Sequence, residues 1–239
     1  MTKTKPYNSK EGKKQQIITM FNNIATNYDI LNFTLSAGLD NIWRKKAVKK
    51  LSNNPKKILD VATGTGDFAI CASKYTKAKI IGIDISNGML DIANQKIKKK
   101  NLSKRIRFNE GDSEDMPFKD NEFDAVTVGF GVRNFENLEK GLNEIYRVLN
   151  KEGEIVILEP SFPTKKIFKT LYKLYFNFIL PKIGALVSRD GAAYSYLPKS
   201  VATFPKNKEF IYLLKKIGFK KVKYIPLSFG IVSLFVAIK

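Results

Sequence analysis

The sequence predicts an α/β fold, a doubly wound sheet with helices on both faces, and three observations predict it. Between residues 57 and 159 short apolar runs alternate with helical patterns, as parallel strands and their crossover helices do. The runs are apolar throughout instead of strictly alternating, which fits strands buried on both sides. Finally, 239 residues with 44% hydrophobic content suffice for one well-buried domain, with room for an insertion.

Residues 1–14 are polar and lysine-rich, lack the apolar core of a secretion signal and read as a mobile tail. Residues 15–239 then form a single domain. Its first part, 15–54, is a set of N-terminal helices: Ile17, Ile18, Phe21 and Ile24 keep helical spacing, as do Ile42, Trp43, Ala47 and Leu51. Asn53-Asn54-Pro55 ends them. A strand at 57–62 turns through Gly64-Thr65-Gly66 into a helix at 67–75. Strand 80–84, helix 88–100, a weaker strand 106–109, strand 123–128, helix 136–149 and strand 154–159 follow. Residues 160–205 break the rhythm. They carry Phe162, Phe168, Tyr172, Tyr175, Phe176, Phe178, Tyr194, Tyr196 and Phe204 and read as an inserted helical cap over the sheet's C-terminal edge. A helix from 207, ended by Gly218, and two strands around Val222 and 231–238 close the chain.

The formal charge is +20. It admits two readings: attraction to nucleic acid, an anionic membrane or an acidic partner, or lysines spread over solvated faces by genome composition. Lysine far outnumbers Arg44, Arg105, Arg107, Arg133, Arg147 and Arg189, whereas base and phosphate forks favour arginine. That favours the second reading. The lone Cys71 excludes an internal disulfide and a thiolate metal cluster. No histidine is present, so the usual neutral-pH base and the commonest metal ligand are both missing. No run of 18 apolar residues predicts a membrane span, and the expected location is cytoplasmic. Chemistry must come from carboxylates, Tyr, Arg, Lys, water or a reactive cofactor.

One constellation points to such a cofactor. Asp60-x-x-x-Gly64-x-Gly66 joins the first strand to its helix, and Asp84 ends the second strand. Glycines let backbone approach a ligand, the helix start offers free N–H groups, and a strand-end acid accepts ribose hydroxyls. Gly64-x-Gly66-x-x-Ala69 with Asp84 also satisfies the NAD fingerprint. S-adenosylmethionine is favoured because Asp60 suits a cationic amino group better than a pyrophosphate. No third true glycine is needed without a diphosphate, and Asp112-Ser113 can address an adenine amino group.

The sequence resembles the ubiquinone/menaquinone biosynthesis C-methyltransferases over nearly all of the chain after about residue 20. The match is carried by Phe21-x-x-Ile24-Ala25-x-x-Tyr28-Asp29-x-x-Asn32, Ser36-x-Gly38, Trp43-Arg44 and the glycine turn. Phe130-Gly131-Val132-Arg133-Asn134, Leu180-Pro181-Lys182-Ile183-Gly184, Tyr194-Ser195-Tyr196-Leu197-Pro198-x-Ser200 and Phe204-Pro205 extend it. The resemblance implies a Rossmann-like class I methyltransferase sheet. The implied reaction is methyl transfer to a ring carbon of a polyprenylated hydroquinone, demethylmenaquinol ahead of a ubiquinol precursor. It also implies cofactor contacts at Thr65, Asp84, Asp112 and Ser113, and through backbone alone at Gly129, where the family often has serine.

For that reaction no metal is required, because alignment and phenolate stabilisation are the protein's tasks. Arg133 is expected to stabilise the phenolate and Asn134 to orient a hydroxyl, unless Arg133 only bridges an acid such as Glu136. Tyr28, then Asp29, then an ordered water are the candidate bases. Tyr28 and Trp43 also have a plain packing reading. An apolar cap suits an isoprenoid tail, and lysines along 165–173 suit peripheral contact with the inner face of the membrane. Methylation of another small molecule, or of RNA, are the alternatives. The second is disfavoured because the aromatics gather in an apolar insertion and do not interleave with arginines. Specific nucleic-acid binding is therefore not expected, and a homo-oligomer stays open.

Overall fold

Ile58, Leu59, Val61, Ile80, Ile83, Val126 and Val128 are all buried, so these runs have no face to offer water and lie side by side inside the molecule. The computed structural model describes residues 4–163 and 191–239, the Tyr194 side chain excepted. The five strands of the doubly wound half are β1 (Lys57–Val61), β2 (Lys79–Asp84), β3 (Ile106–Glu110), β4 (Phe123–Gly129) and β5 (Leu149–Pro160). The helices between them are α4 (Asp67–Tyr75), α5 (Asn87–Lys99) and α6 (Leu138–Val148). Before them come α1 (Lys13–Ile24), α2 (Tyr28–Ser36) and α3 (Leu39–Val48). After β5 the described chain resumes with α7 (Gly191–Thr203), α8 (Asn207–Ile217), β6 (Lys220–Leu227) and β7 (Val232–Ile238).

The strand order is β3-β2-β1-β4-β5-β7-β6. β1 pairs with β2 on one side and β4 on the other, both parallel. The chain therefore reverses its direction of winding beside β1, and the crevice outside the ends of β1 and β4 is where such sheets take ligands. Leu59 and Val61 pack into one helix layer with Leu142, Ile145 and Phe210, while Ile58 packs into the other with Phe68, Ala69 and Ile97. Each fully buried side chain of this size contributes about 1.5–3 kcal/mol.

Two expectations are corrected, and the last two strands, whose direction the sequence left open, are antiparallel: β7 to β5, and β6 to β7. Only a short turn, Ser228–Gly230, separates β6 from β7, and a parallel pairing needs a crossover of a dozen residues or more. Ile42 faces outward at 48% exposure, while Trp43 and Ala47 turn inward. Lys13 and Lys14, read as tail, open α1, and Tyr7 packs against Ile17, Met20 and Tyr196.

Of the cap, α7 is helical as expected. Phe168, Tyr172, Tyr175, Phe176, Phe178, the 165–173 lysines and the Leu180–Gly184 motif lie outside the described residues. Among the described residues no helix is long and apolar enough to cross a membrane.

Candidate functional site

The turn after β1 is built from beneath. Asp60, fully buried, accepts the hydroxyls of Thr63 and, at 2.6 Å, Thr127 on β4. Burial pushes its carboxyl up to about 6, against the pull of those two hydroxyls. Gly66 has φ +81°, and a Cβ there would stand 2.6 Å from the Phe108 ring, so neither conformation nor space allows a side chain. Gly64 donates its N–H to Asp84 Oδ2 at 2.8 Å, and Ser86 N–H binds Oδ1 at 2.9 Å. The strand-end carboxylate is thus fixed by two backbone amides.

Above this turn lies a cavity of about 660 Å³. Tyr28, Gly64, Asp84, Asp112, Ser113, Gly129 and Asn134, all expected from sequence, line it. Asp60, Thr65, Gly66 and Arg133 do not. Asp60 supports the turn from below, and Thr65 points its hydroxyl at Asp29 Oδ1, 2.6 Å away. A Cβ at position 129 would come within 2.8 Å of Phe68, which accounts for glycine where the resemblance leads one to expect serine.

Sequence reasoning missed the roof. Lys14, Ile17 and Phe21 of α1 close the cavity over Ile85 and Met89. Lys14 Nζ donates to Asp112 Oδ2 at 2.6 Å, so the acid assigned to adenine here meets a lysine. Lys13 Nζ donates to the carbonyls of Arg133 and Phe135, and burial lowers its ammonium to about 8. Asn22 Oδ1 accepts from Ser86 Oγ and Gly88 N. The amphipathic spacing of α1 announced a buried face but not these partners, which lie 64 or more residues away.

The charge of the lining discriminates between ligands. Asp84, Asp112, Glu114 and Glu136 face the cavity against one lysine, Lys14. Such a lining disfavours a diphosphate and suits a ligand that carries positive charge.

A second cleft, about 700 Å³, opens on the other side of Tyr28. Its walls are mainly apolar, with Leu35, Trp43, Phe130, Leu197 and Ile231, and its polar groups include Asn32, Asp40, Arg44 and Arg133. A smaller apolar cavity with Met20, Ile24, Leu31 and Tyr196 adjoins it. Tyr28 lines all three spaces. Burial raises its phenol above the ordinary tyrosine value, against a hydrogen bond from Asn32 and the charges of Arg133 and Arg44. Trp43 donates its ring N–H to Ser228 Oγ at 2.8 Å, packs edge-on to Phe130 and still faces the cleft.

Arg133 sits on the turn Val132–Asn134 after β4. Its Nη1 donates to the Phe130 carbonyl and, at 3.2 Å, to Glu159 Oε2. The ion pair expected as its plain alternative therefore exists, with Glu159 in place of Glu136. Yet among the described residues Arg133 Nε, itself buried, has no partner, an uncommon state for a donor. Asn134 Oδ1 meets Tyr196 Oη at 3.2 Å. Asp29 lines none of the three spaces; Thr65 and Lys96 hold its two oxygens.

A family model described as the ubiE/COQ5 methyltransferase family matches residues 9–239. A demethylmenaquinone methyltransferase of Bacteroides fragilis is 45% identical over 239 residues, 99% of this chain and 98% of that protein. A ubiquinone/menaquinone biosynthesis C-methyltransferase of Citrifermentans bemidjiense is 44% identical over 230 residues, 95% of this chain and 97% of that protein. Among solved structures, an S-adenosylmethionine-dependent methyltransferase of Thermotoga maritima superposes with a TM-score of 0.64 at 21% identity, covering 92% of this chain and 99% of that one. The structural likeness speaks for the fold alone.

Proposed function

Because the chain belongs to the ubiE/COQ5 methyltransferase family, we propose that it methylates a ring carbon of demethylmenaquinol, or of the equivalent ubiquinol precursor. It is an S-adenosylmethionine-dependent methyltransferase with a Rossmann-like sheet. The observation that carries the acceptor assignment is the pair of spaces meeting at Tyr28: an acid-lined cavity on one side, an apolar cleft with buried guanidinium groups on the other.

The residues present fit the cofactor. Asp84, Asp112, Ser113 and the Gly64 and Gly129 backbone would hold it in the acid-lined cavity, with Asp60, Thr65 and Gly66 shaping the turn beneath. When bound, S-adenosylmethionine supplies a methyl group electrophilic enough for attack by carbon. What remains for the protein is to seat the acceptor and favour its phenolate.

Arg133 lines the acceptor cleft, and its charge would stabilise phenolate oxygen there. A guanidinium keeps its protons, so it is no base. Tyr28 keeps its proton too, since burial raises its pKa, and serves as a donor to the same oxygen. Asp29 is held away by Thr65 and Lys96. The acceptor's hydroxyl proton therefore leaves to water. With the cofactor bound, the ring carbon would take the methyl group as the methyl–sulfur bond breaks to leave S-adenosylhomocysteine, and the proton on that carbon would then pass to water to restore the aromatic ring. Asn134 lines the acid-lined cavity, where its Oδ1 meets Tyr196 Oη, and from there it would orient an acceptor hydroxyl brought up to the methyl group.

A polyprenyl tail fits the apolar continuation past Met20, Ile24 and Leu31, and substrate held in a bilayer would be met by peripheral contact at the membrane's inner face. The test is methyl transfer from labelled S-adenosylmethionine to reduced demethylmenaquinone in detergent, beside a demethoxy-ubiquinol analogue. Labelled menaquinol is the expected product. No label in either quinol, with cofactor binding intact, would refute the acceptor assignment.

A further inference from the structure

Glu159 ends β5 deep in the molecule, 1% exposed, where a carboxylate is costly unless something is gained from its charge. Its described partners all belong to one turn. Oε2 pairs with Arg133 Nη1 at 3.2 Å, Oε1 faces the Arg133 N–H at 3.5 Å, and the Val132 backbone also bonds to it. Burial pushes its carboxyl up, while the guanidinium and the two backbone N–H groups pull it down. Glu159 does not line the acceptor cleft, but Arg133 does.

From this geometry we infer that Glu159 is a positioning residue that both aims the Arg133 guanidinium into the acceptor cleft and sets the strength of its field there. Holding Nη1 against the Phe130 carbonyl and Glu159 leaves Nε as the buried donor without a partner among the described residues. The negative charge behind the guanidinium also partly cancels it as felt from the cleft. The positive charge that remains ionises an acceptor phenol when it binds, while the free cleft is spared a bare buried cation. Among the described residues the other charged and titratable groups around Arg133 are Lys13, whose ammonium lies on its carbonyl, the phenols of Tyr28 and Tyr196, and, lining the same cleft, Arg44 and Asp40. Asp40 is paired with Arg44, whereas Glu159 is the carboxylate paired with Arg133. This inference rests on the proposed reaction only for the identity of the phenol.

The signs separate the two tasks. Glu159→Gln keeps the shape and removes the charge, so the field in the cleft becomes more positive and a bound phenol ionises at lower pH. Glu159→Asp keeps the charge and withdraws it by one methylene, so aim suffers while the field stays nearly constant.

The experiment titrates 4-nitro-1-naphthol, whose phenolate absorbs in the visible, bound to the full chain and to both variants. A second readout is the pH profile of kcat/KM with demethylmenaquinol. The pKa of the bound probe should fall below its free value in the wild type and by about one further unit in Glu159→Gln. It should stay within a few tenths of wild type in Glu159→Asp, where kcat drops about tenfold at unchanged S-adenosylmethionine affinity. Thermal melts confirm that each variant folds. A probe pKa equal in wild type and Glu159→Gln, or no shift from the free value in the wild type, would overturn the inference whatever the natural acceptor is. The expected probe shifts without turnover of demethylmenaquinol would uphold Glu159 and instead refute the quinol assignment.

Discussion

The two sides of Tyr28 are built by opposite strategies. On the cofactor side, recognition groups sit at or just past the ends of three successive strands, β1, β2 and β3: the Gly64 amide, Asp84, Asp112 and Ser113. Backbone N–H groups fix Asp84 directly, and the lining is acidic. On the acceptor side the walls come from α2, α3, α7 and the turns after β4 and before β7, and of the charged groups there Asp40 and Arg44 are buried. In the proposed reading the first region holds a ligand shared by many enzymes, and the second selects what is methylated through the Arg133 guanidinium and the carboxylate behind it.

If the division is real, mutations on each side should leave the other's parameter untouched. The largest effect is expected from Arg133→Ala. It should lower kcat about 100- to 1,000-fold, the usual loss when a charge-stabilising donor is removed. Calorimetric affinity for S-adenosylmethionine should stay the same, and a parallel loss of affinity would erase the division. The same change strands Glu159 without its partner, so a stability loss of about 3–5 kcal/mol is expected as well; Arg133→Lys separates charge from fold.

Next comes Asp84→Ala, which removes the two-amide-anchored carboxylate. It should weaken S-adenosylmethionine binding about 30- to 100-fold while leaving the KM for quinol within twofold, a split that steady-state kinetics reads directly. Lys14→Met should be milder. It frees Asp112 and Glu114 from their ammonium and loosens the α1 roof, so the off-rate of cofactor should rise a few-fold in stopped-flow traces.

A last effect, on stability and not on binding or turnover, concerns the floor of the turn. Asp60 ionises at about 6 in the fold against 3.8 outside it, so its favourable contribution is complete below pH 4 and is lost as pH rises through 6. Relative to Asp60→Asn, which does not titrate, the wild type should lose about 2–3 kcal/mol between pH 4 and pH 7. Urea melts across that range check it, and a constant difference between the two proteins would mean that the carboxyl is not perturbed.

How much was legible in advance follows the same division. The alternation of strands and helices and the glycine turn are local patterns, and they lead to β1–β5 and to most of the cofactor cavity. The reversal of β7 escaped because apolar runs do not carry strand direction; it rests on the shortness of the turn before it. Arg133 and Asn134 were recognisable from their motif, but not that Arg133 turns away from the cofactor cavity toward the acceptor cleft. Glu159 stands 26 residues from its partner and Lys14 98 residues from Asp112. No helical or strand period links such pairs; tertiary packing alone brings them together. Asp60 shows the converse. Its place in the motif was plain, yet its two oxygens serve the hydroxyls of Thr63 and Thr127 beneath the turn.

The most direct test of the account is where the methyl group lands. Demethylmenaquinol turned over with S-adenosylmethionine carrying a ¹³C-methyl group should give a product whose labelled methyl resonates as carbon-bound on the ring, formed about 100- to 1,000-fold more slowly by Arg133→Ala. A methyl bound to oxygen, or equal carbon methylation without Arg133, would contradict a cleft built to make a ring carbon the nucleophile.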